Sequence, residues 1–538
     1  VQIYGRIWRK LYRPRIDSSP APLLRSPIGL WGLPAPRKPS LLSPSLFHFL
    51  GEARDLAELE KGWDDPSVKK LWCYNLHYFD DLNAEGNESR LDWHRNLLIR
   101  WVQENPPGIG TGWEPYPTSL RIVNWLKWVL SGNELPAECL SSLAVQVRWL
   151  RRRLEKHLLG NHLFANAKAL VFAGLFFKGA EAERWLGKGL AILSREMSEQ
   201  ILGDGGQFER STMYHALALE DLLDLCNVVA VYPDAVPGRY RFFVDRWPVL
   251  VERMEYWLAV MSHPDGEIGF FNDAAFGIAS QPDGLAGYAA RLGMPSVAAA
   301  SEGVTFLKES GYVRLQHASA VVLLDAALLG PDYLPGHAHA DTLSFEFSLF
   351  GRRVLVNSGI SCYGTDGERL RQRGTAAHNT VVVDGEDSSQ VWSGFRVAQR
   401  AYPSAPKIGR QGQHLIVEAS HNGYRRLRGR NRHCRRWELG LGCLRVEDEV
   451  TGPFRDAEAR FHLHPDVKVE SAQLSEGRVV LVLPEGQRVD FVVEIGILRL
   501  DSTTWHPRFG ESVPNVCLAV QFCSPTVKVE LGWQRELE

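Results

Sequence analysis

Two histidines and an aspartate fall within five positions of one another, at His337, His339 and Asp341. The run 342–349 that follows alternates polar and apolar residues, a period of two that predicts a strand with one buried face. If this strand includes the polar trio, the three side chains share one face and can converge. Imidazole and carboxylate groups on a rigid sheet suit proton transfer or metal binding. The alternative is a loop of surface histidines, and this stretch alone leaves both open.

Three further polar clusters stand at or just before predicted helix starts. They hold the remaining candidate residues, which are Trp113, Glu114, Tyr116, Arg121, Asn124, Asn161, His162, Glu209, Arg210 and Tyr214. Helix N-termini present unpaired N–H groups and the positive end of the helix dipole, so they attract carboxylates. If these helix ends converge, they form an aromatic-lined pocket that suits an acidic sugar. Each residue also has a purely structural interpretation, with Asn161 as a helix cap and Tyr214 as a packing residue.

A phenol, an imidazole and an amide that neutralises a carboxylate suit the removal of a proton α to that carboxylate. Free tyrosine has a pKa of about 10, so its surroundings must prepare it to act as acid or base. Neutralising the carboxylate stabilises the enolate-like state. In a 4-linked uronic acid, loss of the C5 proton and departure of the C4 oxygen cleave the glycosidic bond without water. The sequence contains no evident hydrolase dyad, P-loop, dinucleotide fingerprint or nucleophile elbow.

The elements that must position these residues change type along the chain. Residues 1–60 are rich in Pro, Arg and Ser, which predicts an extended lead-in segment. Residues 61–300 repeat apolar positions at helical spacing, which suits a toroid or bundle of antiparallel helices. Residues 301–538 contain short alternating or β-branched runs separated by Gly, Asp and Asn, which predicts an antiparallel β-sandwich.

Composition limits the class of protein. A chain of 538 residues is too long for a single ordinary hydrophobic core, so at least two domains are expected. The formal net charge of −2 lacks the positive excess typical of nucleic-acid-binding proteins. The eight cysteines are scattered, without the spacing of a zinc knuckle or a disulfide framework. No apolar run is long enough to be a transmembrane segment. The basic start lacks the apolar core of a signal peptide, which leaves the compartment weakly determined. We expect a bacterial periplasm or cell envelope, with the cytoplasm as the alternative.

Three motifs occur in order along the chain: Asn161–Ala167, Glu209–His215 and Gly336–Asp341. Together they resemble the signatures of the heparinase II/III family of polysaccharide lyases, over roughly residues 60 to 530. The resemblance implies an α+β multidomain fold, in which an incomplete (α/α) toroid is followed by an antiparallel β-sandwich.

The resemblance also implies roles for single residues. Asn161, with His162 beside it, would neutralise the substrate carboxylate, Tyr214 would act as general acid and as a candidate base, and His337 would be the catalytic histidine. The family's structural divalent metal ion, zinc or calcium, would bind His339 and His378. Its third ligand is often an aspartate, but this chain has Asn357, a weaker metal partner. The occupancy of the metal site is therefore open.

We expect a polysaccharide lyase that cleaves a uronic-acid-containing polysaccharide or oligosaccharide by β-elimination. Trp113, Glu114, Tyr116, Arg121, Asn124, Glu209 and Arg210 are expected to bind the substrate. The stretch 74–80 resembles family members linked to bacterial exopolysaccharide or cell-surface glycans. A uronate C5-epimerase of the same architecture and a non-catalytic glycan-binding or assembly protein remain alternatives. The sequence leaves the glycan and the oligomeric state open.

Overall fold

Helices dominate the first half of the chain and antiparallel strands the second half, as the hydrophobic periodicity predicts. The structure is a computed structural model that describes residues 14–534, so the first 13 residues of the predicted lead-in lie outside the described range. Within that range, no helix combines the length and the apolar character needed to cross a membrane.

The helices of the described residues, some of them joined by short 3-10 turns, are α1 (Lys70–Tyr78), α2 (Leu91–Glu104), α3 (Pro115–Leu130), α4 (Ala137–Arg152), α5 (Gly160–Phe176), α6 (Ala180–Gln200), α7 (Thr212–Val231), α8 (Gly238–Val244), α9 (Trp247–Val260), α10 (Pro282–Arg291) and α11 (Gly367–Arg373).

The strands of the described residues are β1 (Leu46–Phe49), β2 (Glu52–Asp55), β3 (Gly303–Leu307), β4 (Tyr312–His317), β5 (Ala320–Asp325), β6 (Phe345–Leu349), β7 (Arg352–Leu355), β8 (Val381–Val383), β9 (Val391–Trp392), β10 (Arg396–Val397), β11 (Lys407–Gln411), β12 (His414–His421), β13 (Arg432–Leu439), β14 (Cys443–Thr451), β15 (Ala457–His462), β16 (Lys468–Gln473), β17 (Arg478–Val482), β18 (Arg488–Ile495), β19 (Ile497–Trp505), β20 (Val513–Gln521) and β21 (Thr526–Trp533).

The described residues divide into two compact units that interleave along the chain. The helical unit comprises residues up to 201, 217–252 and 283–296, and the sheet unit comprises 202–216, 253–282 and 297 onwards. Helices α7 and α9 therefore contribute residues to both units. The linear domain limits at 60 and 300 stay a prediction.

In the helical unit, apolar stripes and buried charges hold the helices together. Nearly every residue of α5 is buried, consistent with a helix that is hydrophobic on all sides. On α7, Asp224 accepts hydrogen bonds from Lys127 of α3 (3.0 Å) and Lys168 of α5 (2.6 Å). The lead-in is fastened to this unit by side chains, since Arg148 donates to the carbonyl oxygens of residues 17, 19 and 20.

The sheet unit contains three larger sheets, each built from antiparallel neighbours. Eight strands follow the order β11-β12-β13-β14-β21-β18-β17-β16, four follow β19-β20-β15-β8, and five follow β3-β4-β5-β6-β7. Apolar side chains from all three sheets, including Phe345, Trp437 and Phe461, form one buried core. This packing of antiparallel sheets agrees with the predicted sandwich.

Strand β6 differs from the prediction in two respects. It spans only Phe345–Leu349, and both of its faces are buried. Phe345 and Phe347 enter the main core, while Glu346 and Ser348 point to the opposite face, where both bond to His263 (2.9 and 2.7 Å). The prediction of one buried face is wrong because the polar residues of the strand are buried too, where they form hydrogen bonds with the buried His263 ring.

The histidine stretch before β6 is a loop rather than a strand, so the predicted shared strand face for His337, His339 and Asp341 is also wrong. A turn interrupts the extended backbone: Ser344 N–H donates to the Asp341 carbonyl, and Leu343 has a left-handed φ of 64°. The polar trio is therefore positioned by side-chain contacts rather than by strand geometry.

A buried ion pair in the eight-stranded sheet supports this loop. Arg435 donates two hydrogen bonds to Asp448 (2.7 and 2.8 Å), and both side chains are inaccessible to solvent. The same guanidinium donates to the carbonyl oxygens of Leu343 and Asn379, next to the loops that carry Asp341 and His378. The sheet is thus bonded directly to the loops of the polar site.

We predict that Arg435→Met destabilises the protein by about 3–5 kcal/mol, because it leaves the Asp448 carboxylate buried without its cation. The matched control is Arg478→Met, which removes an exposed partner of Asp490 in the same sheet and should change stability little. Urea unfolding followed by far-UV circular dichroism measures both. Equal losses for the two variants would contradict the role given to the buried pair.

Candidate functional site

One buried carboxylate, that of Asp273, organises the polar residues of the sheet unit. It accepts two hydrogen bonds from Arg369 (2.5 and 2.8 Å), one from Nδ1 of His337 (2.8 Å) and one from Nε2 of His339 (2.8 Å). Burial opposes ionisation of Asp273, but the Arg369 charge and the imidazole hydrogen bonds hold its pKa well below the usual range. The carboxylate is therefore ionised and accepts hydrogen bonds from four donor atoms.

Because an ionised carboxylate can only accept, each imidazole must direct an N–H towards Asp273. In His337 the proton lies on Nδ1, so Nε2 is the ring atom directed away from Asp273, 3.7 Å from a Glu209 carboxylate oxygen. In His339 the proton lies on Nε2, and Nδ1 faces Nε2 of His378 at 3.3 Å. Asp273 thus orients both imidazoles, but it bonds to Nδ1 of His337 and to Nε2 of His339. Each ring therefore directs its other nitrogen away from this carboxylate.

Tyr214 lies over His337, with their ring centroids 3.9 Å apart. It belongs to the first turn of α7, where its N–H donates to the Ser211 hydroxyl in a helix-capping contact (3.1 Å). The Ser211 hydroxyl in turn donates to the Asp273 carbonyl oxygen. The phenol and the imidazole that the sequence nominated as catalytic are therefore adjacent.

A second phenol meets the first. The hydroxyl oxygens of Tyr214 and Tyr363 are 2.9 Å apart. The Tyr363 ring packs against Phe395 and Phe509, with centroid separations of 5.4 and 5.0 Å, and Arg369 lies 5.0 Å from its centroid. Burial, followed by the negative charge of Asp273, raises the pKa of Tyr363 well above its usual value.

A candidate metal-ligand set includes His339, two residues after His337. His339, Asp341 and His378 are buried, and one ligand atom from each falls within 4.8 Å of the others. Burial lowers the pKa of His339 to about 4 and that of His378 to about 3, so both rings are neutral at pH 7. Burial raises the pKa of Asp341. Neutral imidazoles beside a carboxylate form a donor set that suits a divalent cation.

Asn357, the third ligand that the family resemblance implies, uses both ends of its side-chain amide in hydrogen bonds within the protein. Its amide nitrogen donates to the Phe270 carbonyl (2.9 Å) and its amide oxygen accepts from Asn379 N–H (3.1 Å). The side chain is thus used to join backbone segments. Asp341, which the sequence placed in the same polar trio, is the carboxylate that lies beside His339 and His378. Metal binding by Asn357 stays a prediction.

Four residues predicted to line a cleft are structural, because they are buried and satisfied by neighbouring groups. Trp113 packs between other tryptophans, and Arg121 is fully buried over the Trp101 ring. Asn124 donates hydrogen bonds to the Tyr78 carbonyl and to Asp80. Arg210 donates to the Ser310 carbonyl. Their polarity suggested substrate contact, but it serves the packing of loops and helices.

The remaining predicted residues of the helical unit are accessible at their edges. Helix α5 begins at Gly160, so Asn161 lies inside its first turn rather than at the N-cap. The His162 ring is 4.4 Å from the Tyr116 ring, and its Nδ1 is 3.3 Å from Glu155. Glu114 bonds to Lys70 and Tyr74. The joint action of Asn161, His162, Glu114 and Tyr116 with the Tyr214–His337 pair stays a prediction, as does substrate binding by Glu209.

Sequence reasoning missed Asp273, Arg369 and Tyr363. Asp273 follows Asn272, whose left-handed φ of 57° marks a turn that an Asn-Asp pair could have suggested. Arg369 is one of several arginines in a short helix, and nothing distinguishes it in the sequence. Tyr363 lies in a loop without a local signal. These residues are identified only by what they contact.

The fold and this site define the class of protein. Residues 83–282 match the heparinase II/III N-terminal family model, and residues 299–533 match the heparinase II/III-like C-terminal model. The chain belongs to the heparinase II/III-like family, as its motifs indicated.

Curated relatives include a heparin-sulfate lyase of Bacteroides stercoris, 27% identical over 254 residues, which are 44% of this chain and 37% of that relative. Another is a heparin-sulfate lyase of Pedobacter heparinus, 24% identical over 326 residues, which are 53% of this chain and 47% of the relative. The chain thus matches less than half the length of these relatives.

Solved structures with the same fold include a heparinase III, with a TM-score of 0.68 and 18% identity, covering 89% of this chain and 79% of that one. A heparan sulfate lyase from Pedobacter heparinus aligns with a TM-score of 0.61 and 18% identity, covering 100% of this chain and 88% of the other. These matches confirm the predicted fold class, a helical toroid followed by an antiparallel β-sandwich.

We predict that Asp273→Asn lowers the free energy of unfolding by about 3–5 kcal/mol, because Arg369 loses its counter-ion and both imidazoles lose a charged acceptor. Asp265→Asn is the control, since Asp265 also pairs with an arginine, Arg353, but is partly exposed. Urea unfolding at pH 7 measures the difference. A loss at Asp273 no larger than that at Asp265 would contradict the organising role of Asp273.

Proposed function

We propose that this protein is a polysaccharide lyase that cleaves a uronic-acid-containing glycan by β-elimination. The observation that carries the proposal is the stacked Tyr214–His337 pair, whose imidazole is oriented by Asp273. Such a pair supplies an acid and a base on one side of a sugar ring, as elimination requires.

The proton steps follow from the orientation of the two rings. Nε2 of His337 removes the C5 proton, the electron pair forms the C4=C5 double bond, and the C4–O4 bond breaks. Tyr214 donates its phenolic proton to the departing O4. Asp273 at Nδ1 and Glu209 near Nε2 stabilise the imidazolium that forms. The imidazolium proton then returns to the Tyr214 oxygen as product leaves, which restores both groups.

Neutralisation of the substrate carboxylate falls to Asn161 and His162. Amide and imidazole donors at the start of α5 can bind a carboxylate with the help of the helix dipole. The Tyr116 ring beside His162 offers an apolar surface for a sugar. In this proposal, Asn161→Ala abolishes catalysis while the Tyr214–His337 pair remains intact.

The substrate is an acidic polysaccharide or oligosaccharide. The names of the curated relatives favour a glycosaminoglycan of the heparan sulfate type. An exopolysaccharide or cell-surface glycan containing uronic acid is the other candidate, and an epimerase would share the first proton step.

The cluster of His339, Asp341 and His378 would hold one divalent metal ion, zinc rather than calcium. The facing nitrogens of His339 and His378 are 3.3 Å apart, and imidazole nitrogens with a carboxylate are the ligands that zinc prefers. Calcium prefers six to eight oxygen ligands, which this donor set lacks. The ion would have a structural role and would supply positive charge. Metal-bound histidines usually donate their other ring N–H to a carboxylate, and His339 makes this hydrogen bond to Asp273.

We predict that Tyr214→Phe lowers kcat at least about 100-fold, because the leaving oxygen loses its proton donor. The measurement is the ultraviolet absorbance of a newly formed unsaturated uronate, over a panel of heparan sulfate, other glycosaminoglycans and bacterial acidic polysaccharides. Tyr402→Phe, which changes an exposed tyrosine of the sheet unit, is the control.

Unchanged turnover in a folded Tyr214→Phe variant would refute the assigned chemistry. Deuterium entering the polymer from solvent without chain cleavage would identify a C5-epimerase. Binding without turnover across the whole panel would indicate a non-catalytic glycan-binding or assembly protein.

We also predict that the protein purified with zinc holds about one ion per chain, and that Asp341→Asn loses most of it because a charged ligand is removed. Elemental analysis after dialysis measures the content. Asp265→Asn, at a carboxylate paired with Arg353, should retain the ion. Equal zinc content in all three proteins would exclude the cluster as the metal site.

A further inference from the structure

The contact between Tyr214 and Tyr363 has a chemical consequence for the site. Their hydroxyl oxygens are 2.9 Å apart, a normal hydrogen-bond distance, so one phenol donates and the other accepts. Tyr363 approaches from the loop before α11, whereas Tyr214 is fixed in the first turn of α7. The two phenols come from segments about 150 residues apart, so their contact depends on the tertiary fold.

The direction of this hydrogen bond follows from the surroundings. Among the described residues, four charged or titratable groups lie near the two phenols. They are the His337 ring against the Tyr214 ring, the carboxylates of Asp273 and Glu209, and the Arg369 guanidinium over the Tyr363 ring. Burial, followed by the negative charges of Asp273 and Glu209, raises the pKa of Tyr363, although Arg369 and the Tyr214 hydrogen bond oppose this shift. Tyr363 therefore keeps its proton and is the donor when Tyr214 is ionised.

We propose that Tyr363 is a positioning residue that donates its hydroxyl proton to the Tyr214 oxygen and stabilises the Tyr214 phenolate. The inference rests on the proposed function, in which Tyr214 gives its proton to the leaving O4 and carries a negative charge until His337 returns a proton. A hydrogen bond to an ionised acceptor is stronger than one to a neutral acceptor, so the contact strengthens when the charge forms. Such a differential interaction favours the transition state.

The packing of Tyr363 supports this role. Phe395 and Phe509 both make edge contacts with its ring, at interplanar angles of 64° and 83°. These ring contacts do not depend on the Tyr363 hydroxyl. Tyr363→Phe keeps these ring contacts and removes only the donor. The variant should therefore fold and report on the hydrogen bond itself.

The test is the titration of Tyr214 in protein labelled with 13C at the tyrosine ζ carbon. Its resonance is assigned by its absence in Tyr214→Phe. In Tyr363→Phe the pKa of Tyr214 should rise by about one unit, equivalent to a tenfold loss of phenolate stabilisation. With an active substrate, kcat should fall about tenfold while KM changes little. Tyr424→Phe is the matched control, because it removes a buried phenol that donates to the Val381 carbonyl elsewhere in the sheet unit.

An unchanged Tyr214 pKa in folded Tyr363→Phe would overturn the inference, even if activity fell. If Tyr363→Phe does not fold, 3-fluorotyrosine at position 363, a stronger donor, should lower the Tyr214 pKa, and an unchanged pKa there would equally overturn it. The titration needs no turnover, so the two proposals fail separately. A shifted pKa in a protein inactive on every acidic glycan would reject the lyase function and retain the tyrosine pair. Turnover of a glycan, together with an unchanged Tyr214 pKa in Tyr363→Phe, would reject only the role given to Tyr363.

Discussion

The site depends on one interaction, the ionised Asp273 carboxylate buried against Arg369. A buried carboxylate is costly unless it is paired and its oxygens accept hydrogen bonds, and here four donors satisfy it. The same bonds fix the orientation of His337 and His339, which present opposite ring nitrogens. The proposed proton transfer and the proposed metal binding therefore depend on the same carboxylate. Loss of this carboxylate would disturb two functions together.

The surrounding sheets hold the loops that carry the site. Glu346 accepts N–H groups from Phe270 and Asn357, so a residue of β6 secures the segment that leads to Asp273. From the eight-stranded sheet, Arg435 bonds to carbonyl oxygens beside Asp341 and His378. Buried polar side chains on strands thus replace regular backbone pairing in these loops. This arrangement explains why strands rich in buried charge coexist with a large apolar core.

The sequence predicted the order of helices and strands because hydrophobic periodicity reflects burial on one side of an element. It also nominated Tyr214, His337, His339 and His378, since their motifs combine rare residue types at short spacing. It failed where polarity serves packing: Arg121 looks like a binding residue, yet it is buried over a tryptophan.

Asp273, Arg369 and Tyr363 could not be predicted, because they are brought to the site by loops whose paths depend on tertiary contacts. The position of Asp341 beside His339 and His378 has the same origin. A ligand set depends on where side chains point, and residue spacing alone does not determine that direction. The chemistry of a motif was therefore easier to foresee than the partners that orient it.

In the proposed mechanism, this site removes the C5 hydrogen of a uronate and expels the C4 oxygen. The most direct measurement is the NMR analysis of products formed from a uronate-containing oligosaccharide in deuterated water. We expect an unsaturated C4=C5 uronate at the new chain end, with no hydrogen left at C5. Chain cleavage that yields a saturated uronate retaining its C5 hydrogen would contradict it.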